Sequence, residues 1–388
     1  MKKSLLALVA LGAFAGAAQA QSSVTVYGTL DASMGRVDTG ATTTNGITTK
    51  LVGGALTSDR LGFRGTEDLG GGKTAHFQLE TGLAPFSNST GEVGAGGGNA
   101  MTQDTPGSII ANRRPTFIGL ADKQLGRIDA GSLYSLGFLF TGYGDVSGNN
   151  TLGTNLSQAT VVSSVADSTD TATTIGGTTS AFKINSNAVQ YTSPTIAGVT
   201  ARIYNVTNSG AANGAGKVTA ADLQYVLGKF NAGAVYEVKT VTSNSPASKH
   251  TSMGVGAGYN FGMINARATY QKGTLDVDTA GVKSPSAVVT VTKFTATAPV
   301  SPNIDIFGGY VILSENNQGN MYSASTSVAG KATLMNIGMQ YKFSKRTNVY
   351  AYYTSLDNDA NSKFSTTTKV GTANLDPSTF AIGMRHSF

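Results

Sequence analysis

Residues able to act as catalysts are few in this chain and lie far apart in the sequence. The three histidines are His76, His250 and His386, and no cysteine is present, so thiolate chemistry and disulfides are excluded. A hydrolase of the serine type would need one histidine within hydrogen-bond reach of a serine. Serines are abundant, but the Gly-x-Ser-x-Gly elbow of such enzymes is missing. We predict no enzymatic activity, no cofactor and no metal site.

A glycine-rich segment, Gly254-Val-Gly-Ala-Gly258, superficially resembles a dinucleotide-binding loop. That motif requires a strand before it and a helix after it. Here the glycines share one parity with Asn260, and Val255, Ala257 and Tyr259 share the other. This alternation favours a strand with one face of small residues.

Two arginines offer electrostatic rather than covalent chemistry. Arg60 and Arg64 alternate with Leu61 and Phe63, so a strand here would place both arginines on the face opposite the apolar residues. Fixed charges that face a narrow aqueous passage focus the electric field and bias which ions enter it. The alternation therefore predicts that both arginines line a water-filled interior.

The elements that would position these residues are strands of the same alternating kind. Alternation between apolar and polar residues recurs along the chain, and sixteen segments show it. They lie near 24–36, 56–67, 73–83, 113–121, 125–134, 186–193, 197–206, 217–228, 230–241, 250–261, 263–273, 288–298, 303–314, 332–343, 347–356 and 377–388. Short turns alternate with long Gly/Ser/Thr/Asn stretches at 84–112, 135–185 and 357–376. An even strand number with unequal connections predicts an all-β fold, a sixteen-stranded antiparallel transmembrane β-barrel.

Aromatic residues beside the tight turns predict interfacial girdles. We expect these to include Tyr259, Phe261, Tyr341, Phe343, Tyr350 and Tyr352. The chain also ends on an aromatic residue, Phe388, at the close of an alternating strand. Because chain ends usually fray, this ending predicts that Phe388 is part of the structure.

The first twenty residues predict export. Lys2 and Lys3 precede an apolar run from Leu5 to Ala18, and Ala18-Gln19-Ala20 matches a cleavage site, so we expect a signal peptide at 1–20 and a barrel at 21–388. Removing two lysines lowers the net charge from +6 to +4, which does not favour a nucleic-acid partner. Charged residues make up 13% of the chain, against about 25% in soluble proteins. Hydrophobic residues reach only 40%, a combination that fits a barrel between lipid and water.

Five segments, in order, resemble the general porins of Gram-negative bacteria, most closely the beta-proteobacterial type. They are Val24-Thr-Val-Tyr-Gly-Thr-Leu-Asp31, Arg60-Leu-Gly-Phe-Arg-Gly-Thr-Glu-Asp-Leu-Gly70, Phe77-Gln-Leu-Glu-Thr-Gly82, Asn187-Ala-Val-Gln-Tyr-Thr-Ser-Pro194 and Gly383-Met-Arg-His-Ser-Phe388. The resemblance implies an outer-membrane homotrimer in contact with lipid and lipopolysaccharide. Each barrel would hold its own pore, with the third external loop folded inward, and the segment from Ala84 to Ala111 would reach over a neighbour.

The resemblance also implies the residues of a pore constriction. Arg60, Arg64 and Arg114 would form the basic wall, with Lys183 as a further cation. Asp145, on the loop that begins near Leu136, would face them. We expect Arg60 and Arg114 to face water and to set ion preference rather than hold the barrel together. Phe388 would be the signal read by the barrel assembly machinery.

These features predict a general diffusion porin for small hydrophilic solutes and ions, with a weak preference for anions. Two other functions fit the same barrel. A substrate-specific channel would arrange tyrosines along one path through the lumen, and an adhesin or structural barrel would act mainly through its loops. Conductance measured with and without competing solutes distinguishes a substrate-specific channel from a general porin. Trimming the loops identifies an adhesin, because adhesion would be lost while conductance remained.

Overall fold

The computed structural model describes most of the predicted barrel. Described are residues 23–40, 46–53, 55–83, 85, 110–143, 184–206, 216–241, 247–279, 282–283, 286–316, 330–362, 364 and 374–388. The expected signal peptide lies outside this part of the chain. So does most of the segment from Ala84 to Ala111.

The described residues form eighteen strand segments and one short helix. The strands are β1 (Ser23–Asp38), β2 (Ile47–Gly53), β3 (Arg60–Gly70), β4 (Lys73–Leu83), β5 (Ile110–Asp122), β6 (Gly126–Tyr134), β7 (Ile184–Thr192), β8 (Val199–Val206), β9 (Gly216–Leu227), β10 (Phe230–Val241), β11 (Ala247–Asn260), β12 (Asn265–Thr279), β13 (Val282–Lys283), β14 (Ala287–Ser301), β15 (Ile304–Glu315), β16 (Gly330–Lys342), β17 (Thr347–Asn358) and β18 (Ser378–Ser387). The helix is α1 (Leu136–Tyr143). Among the described residues, no helix is long and apolar enough to cross a membrane.

The strands close into one antiparallel barrel. Apart from β2 and β13, each strand pairs with the next along the chain, and β18 pairs with β1 from Thr29↔Ser387 to Asp38↔Ser378. β2 and β3 both pair with β1 and share one place in the wall. β13 and β14 likewise both pair with β12. The wall therefore has sixteen strands, which confirms the prediction.

Alternation sorts the side chains between the two faces of the wall. On β18, Phe380, Ile382 and Met384 are exposed on the outside, as an outer face bathed in lipid requires. Their neighbours Thr379 and Ala381 point inward and are fully buried. The other strands repeat this division, so the barrel has an apolar outer surface.

The aromatic girdle is confirmed only in part. Tyr341 and Phe343, and likewise Tyr259 and Phe261, are exposed beside turns, and the rings of each pair lie 5.0 Å and 4.8 Å apart. Tyr350 and Tyr352 were expected in the girdle, but this was wrong. Both have the parity that faces the lumen, and both are buried there. Proximity to a turn does not decide which face a ring occupies, because parity does.

The second wall strand differs from its predicted span of 56–67. Residues 55–59 leave the sheet between β2 and β3, and Ala55 and Leu56 pack inside the barrel against Phe307, Tyr350 and Tyr352. The carboxylate of Asp31 holds this segment in place, because it accepts the backbone N–H groups of Leu56 at 2.9 Å and Thr57 at 2.6 Å. The segment 55–59 thus lines the interior.

Phe388 completes the closure of the barrel. Its backbone N–H and C=O both bond to Gly28, each at 3.1 Å. Its ring covers Gly28 so closely that a Cβ at this glycine would clash with the ring. The terminal residue is therefore built into the seam between β18 and β1, as expected from the sequence.

Deleting Phe388 is expected to reduce folded barrel strongly, because the seam loses two backbone hydrogen bonds and a packed ring. The measurement is the heat-modifiable fraction in membranes and after refolding in detergent. Phe388→Tyr keeps the ring and serves as the control. If the heat-modifiable fraction falls in membranes while refolding in detergent is normal, Phe388 acts as an assembly signal alone. Wild-type levels in both assays would contradict both roles.

Candidate channel interior

Arg60 and Arg64 lie on the inner face of β3, as their parity predicts. Their cross-strand neighbours on β1 are Thr29 and Thr25, which also face inward. The guanidinium carbon of Arg64 lies 5.0 Å above the ring centroid of Tyr27, a cation–π arrangement. Arg64 is exposed and Arg60 is half-buried. Both arginines therefore present charge to the lumen.

Arg114 occupies a different environment from the one expected. Its Nε donates to Oε1 of Glu80, and the side chains are only 9% and 7% exposed. Tyr27 donates from its hydroxyl to the other carboxylate oxygen at 2.9 Å. The expectation that Arg114 faces water was wrong, because a register shift between β4 and β5 at Leu79 and Thr81 directs Arg114 onto Glu80. The two charges neutralise each other in the wall.

Arg385 is a lumenal cation that the sequence analysis missed. It lies on β18 directly opposite Asp31 on β1, and both side chains face inward. Arg60 and Asp31 are close enough to act electrostatically on its guanidinium. The alternation with Phe380, Ile382 and Met384 already placed Arg385 on the wet face, so parity was the signal that could have identified it.

The remaining predicted constriction residues, Lys183 and Asp145, lie outside the described residues. The acid that meets Arg114 is instead Glu80, which belongs to the wall. Its parity with His76 and Gln78 placed it on the inner face, but its partner could not be read from the sequence.

The segment after β6 turns inward and forms α1. This helix lies against the inner faces of β9, β10 and β11. Leu136 and Phe140 pack there with inward residues of the wall, including Tyr204 and Val235. The first residues of this connection, 136–143, therefore lie inside the barrel.

Both ends of α1 are bound to charged side chains of the wall. At its first turn, the N–H of Gly137 donates to the carboxylate of Glu237 at 3.0 Å. At its last turn, Lys293 donates to the carbonyl of Thr141 and Arg267 to that of Tyr143, each at 2.7 Å. These contacts come from β10, β12 and β14, so they hold the helix across several strands.

The glycine motif of β11 serves this helix. Gly254, Gly256 and Gly258 share one face of β11, as predicted, and the structure shows that this face points inward. The ring of Phe140 lies against Gly254 and that of Tyr143 near Gly256, and any Cβ at Gly254 would collide with Phe140. The small-residue face therefore allows close approach of the helix.

Apolar side chains also fill the interior near β14–β17. They form a buried cluster of Val289, Val291, Val311, Leu313, Ala332, Leu334, Leu356 and Phe364. Phe364 is held by Asn358, which accepts its N–H at 3.1 Å and donates to its carbonyl at 3.0 Å. The inner faces of these strands are therefore not uniformly polar, in contrast to the simple alternation expected of a wet lumen.

The histidines occupy separate places. His76 faces inward, and its Nε2 lies 2.7 Å from Oδ1 of Asp129, which also accepts from Arg127. His250 is buried on the inner face of β11. His386 shares the outward parity of Met384, and its Nδ1 lies 2.8 Å from the hydroxyl of Thr347. The three histidines therefore lie at separate positions in the barrel wall and do not form one shared site.

Comparison with known proteins agrees with the barrel architecture described above. A family model described as Gram-negative porin matches residues 7–361. An outer membrane porin protein of Bordetella pertussis is 28% identical, with 100% of both chains covered. Outer membrane porin protein 32 of Delftia acidovorans is 28% identical over 92% of this chain and 90% of its own.

Solved structures share the fold. An anion-selective porin from Comamonas acidovorans superposes with a TM-score of 0.74 at 20% identity, covering 95% of this chain and 100% of that one. OmpT of Vibrio cholerae in its trimer form gives 0.66 at 14% identity, covering 95% and 99%. The family model matches most of the chain, and the chain folds as a closed sixteen-stranded barrel with an inward segment. The chain therefore belongs to the Gram-negative porins of the outer membrane.

Proposed function

We propose that this outer-membrane porin conducts small hydrophilic solutes and ions passively and favours anions. The observation that carries the proposal is the group of lumenal arginines Arg60, Arg64 and Arg385, on the neighbouring strands β3 and β18 with β1 between them. None of the three forms an ion pair with another described residue within 4.0 Å. Their charges therefore remain available to ions in the channel.

The physical basis is the low dielectric constant around a narrow water-filled passage. Field lines from wall charges are focused into the water there, so a few fixed cations raise the local anion concentration. Arg114 adds little to this effect because Glu80 neutralises it at contact. The named relative from Comamonas acidovorans, an anion-selective porin of the same fold, supports the proposal.

We also propose a cleaved signal at 1–20 and a homotrimeric assembly. The net charge without the signal is +4, which agrees in sign with the anion preference. The trimer form of the OmpT structure supports the assembly, since its barrel has the same architecture. Lipopolysaccharide and the assembly machinery remain proposed partners, on the strength of the family resemblance.

A salt-gradient measurement tests the function. Protein extracted without heating should migrate near three times the mass of the heated chain, and it is then inserted into planar bilayers. Under a tenfold potassium chloride gradient, the zero-current potential should have the sign of chloride preference. It should stay below the limit of about 59 mV for perfect selectivity. A potential of the opposite sign would refute anion preference, and absence of conductance would refute the channel.

A further inference from the structure

The helix inside the barrel is too short to be stable by itself. It has eight residues, whereas isolated helices shorter than about 12–15 residues are marginal in water. It also carries no acidic residue in its first turn and no basic residue in its last. Such residues would normally stabilise the partial charges at the helix ends. Its stability must therefore come from its surroundings.

The wall supplies the charges that the helix lacks, and each has the favourable sign. The carboxylate of Glu237 binds the N-terminal end, where the unsatisfied N–H groups carry partial positive charge. Lys293 and Arg267 bind the carbonyl groups of the C-terminal end, where the partial charge is negative. If the helix ran in the opposite direction, each of the three charged side chains would lie beside a helix end with partial charge of the same sign. The contacts therefore also fix the direction of the helix.

The same side chains are costly to bury without the helix. Glu237 is 4% exposed and Lys293 is 2% exposed. A buried charge is tolerated when it is hydrogen-bonded or paired, and part of that bonding comes here from the helix backbone. Gly254, on β11 between the acidic and basic ends, admits the ring of Phe140 and so fixes the helix sideways.

We propose that Glu237, Gly254, Arg267 and Lys293 act together as a helix cradle, a set of positioning residues that holds α1 against the wall. By keeping α1 to one side, the cradle sets the width and steadiness of the open channel. This consequence for conductance rests on the proposed function. The docking itself does not, since it concerns only where the helix lies.

Thiol labelling tests the docking without any ion flow. The chain has no native cysteine, so a single Leu139→Cys on α1 can be labelled without background. Leu139 is partly buried against the apolar packing beneath the helix, so its thiol should react slowly when α1 is docked. Glu237→Ala and Lys293→Met should raise the labelling rate by about tenfold or more, because each removes a charge-assisted hydrogen bond. Glu237→Gln keeps the shape and should give a smaller rise.

Matched controls separate this effect from a general loss of lumenal charge. Asp222→Asn and Arg202→Met alter an inward ion pair that joins β9 to β8 and leaves the three charged cradle side chains in place. They should leave the labelling rate close to that of the parent. Single-channel records should show larger current fluctuations for the cradle variants than for the controls.

The outcomes distinguish the two proposals. Equal labelling rates in folded cradle and control variants would overturn the cradle, whatever the channel conducts. Faster labelling in the cradle variants alone would support it even if the salt-gradient experiment refuted anion preference. If Glu237→Ala does not fold, the labelling of folded Glu237→Gln and Lys293→Met decides.

Discussion

The Arg114→Glu variant is expected to yield little folded barrel. The substitution would place a second carboxylate against Glu80, in a part of the wall where both native side chains are almost fully buried. Breaking a buried ion pair costs about 3–5 kcal/mol, whereas replacing a solvated arginine costs under about 0.5 kcal/mol. The heat-modifiable fraction and the thermal unfolding midpoint in detergent measure the difference.

A second variant identifies the pair as the cause. Arg114→Met combined with Glu80→Met removes both charges, and apolar replacement of a buried pair is often nearly neutral. Tyr27 loses its acceptor, at a cost of about 1 kcal/mol. The double variant should therefore recover most of the stability that Arg114→Glu loses. Arg114→Glu with wild-type stability would show that Arg114 is solvated after all.

Replacing Arg60 and Arg64 together by glutamate is expected to reverse the ion preference of the channel. Both face the lumen without an ion pair to a described residue, so their charges act on ions rather than on the wall. The change converts two focused positive charges into two negative ones. In the same salt gradient, the zero-current potential should change sign while the yield of folded protein changes little.

The matched control carries the same charge change outside the barrel. Lys345→Glu with Arg346→Glu alters an exposed turn between β16 and β17. Because solvent screens charges beyond about 10 Å at 0.1 M salt, this control should leave the potential almost unchanged. If the Arg60/Arg64 double variant folds and keeps the wild-type zero-current potential, neither arginine lines the constriction.

Much of the architecture could be predicted from the sequence. The two-residue period identified sixteen wall strands, placed Arg60 and Arg64 on the inner face, and put the glycines of β11 together on one face. It also indicated that the terminal Phe388 belongs to the structure. These predictions succeeded because alternation is a property of the strand backbone itself, so each segment encodes which of its side chains face lipid.

The contacts inside the barrel could not be predicted in the same way. Parity alone would put Arg114 on the outer face with Ile118 and Leu120, and the register shift between β4 and β5 turns it inward onto Glu80. Parity also says nothing of the detour at 55–59, which places Ala55 and Leu56 against Tyr350.

The position of α1 shows most clearly what could not be predicted from the sequence. Residues 136–143 contain no charge that would identify their position, and the group that binds their first turn lies 100 residues away at Glu237. The sequence by itself determined the strands, their two faces and the family. Only the tertiary structure decided which inward charges are neutralised, which remain open to the channel, and where α1 lies. These depend on distances between segments that meet only when the barrel closes.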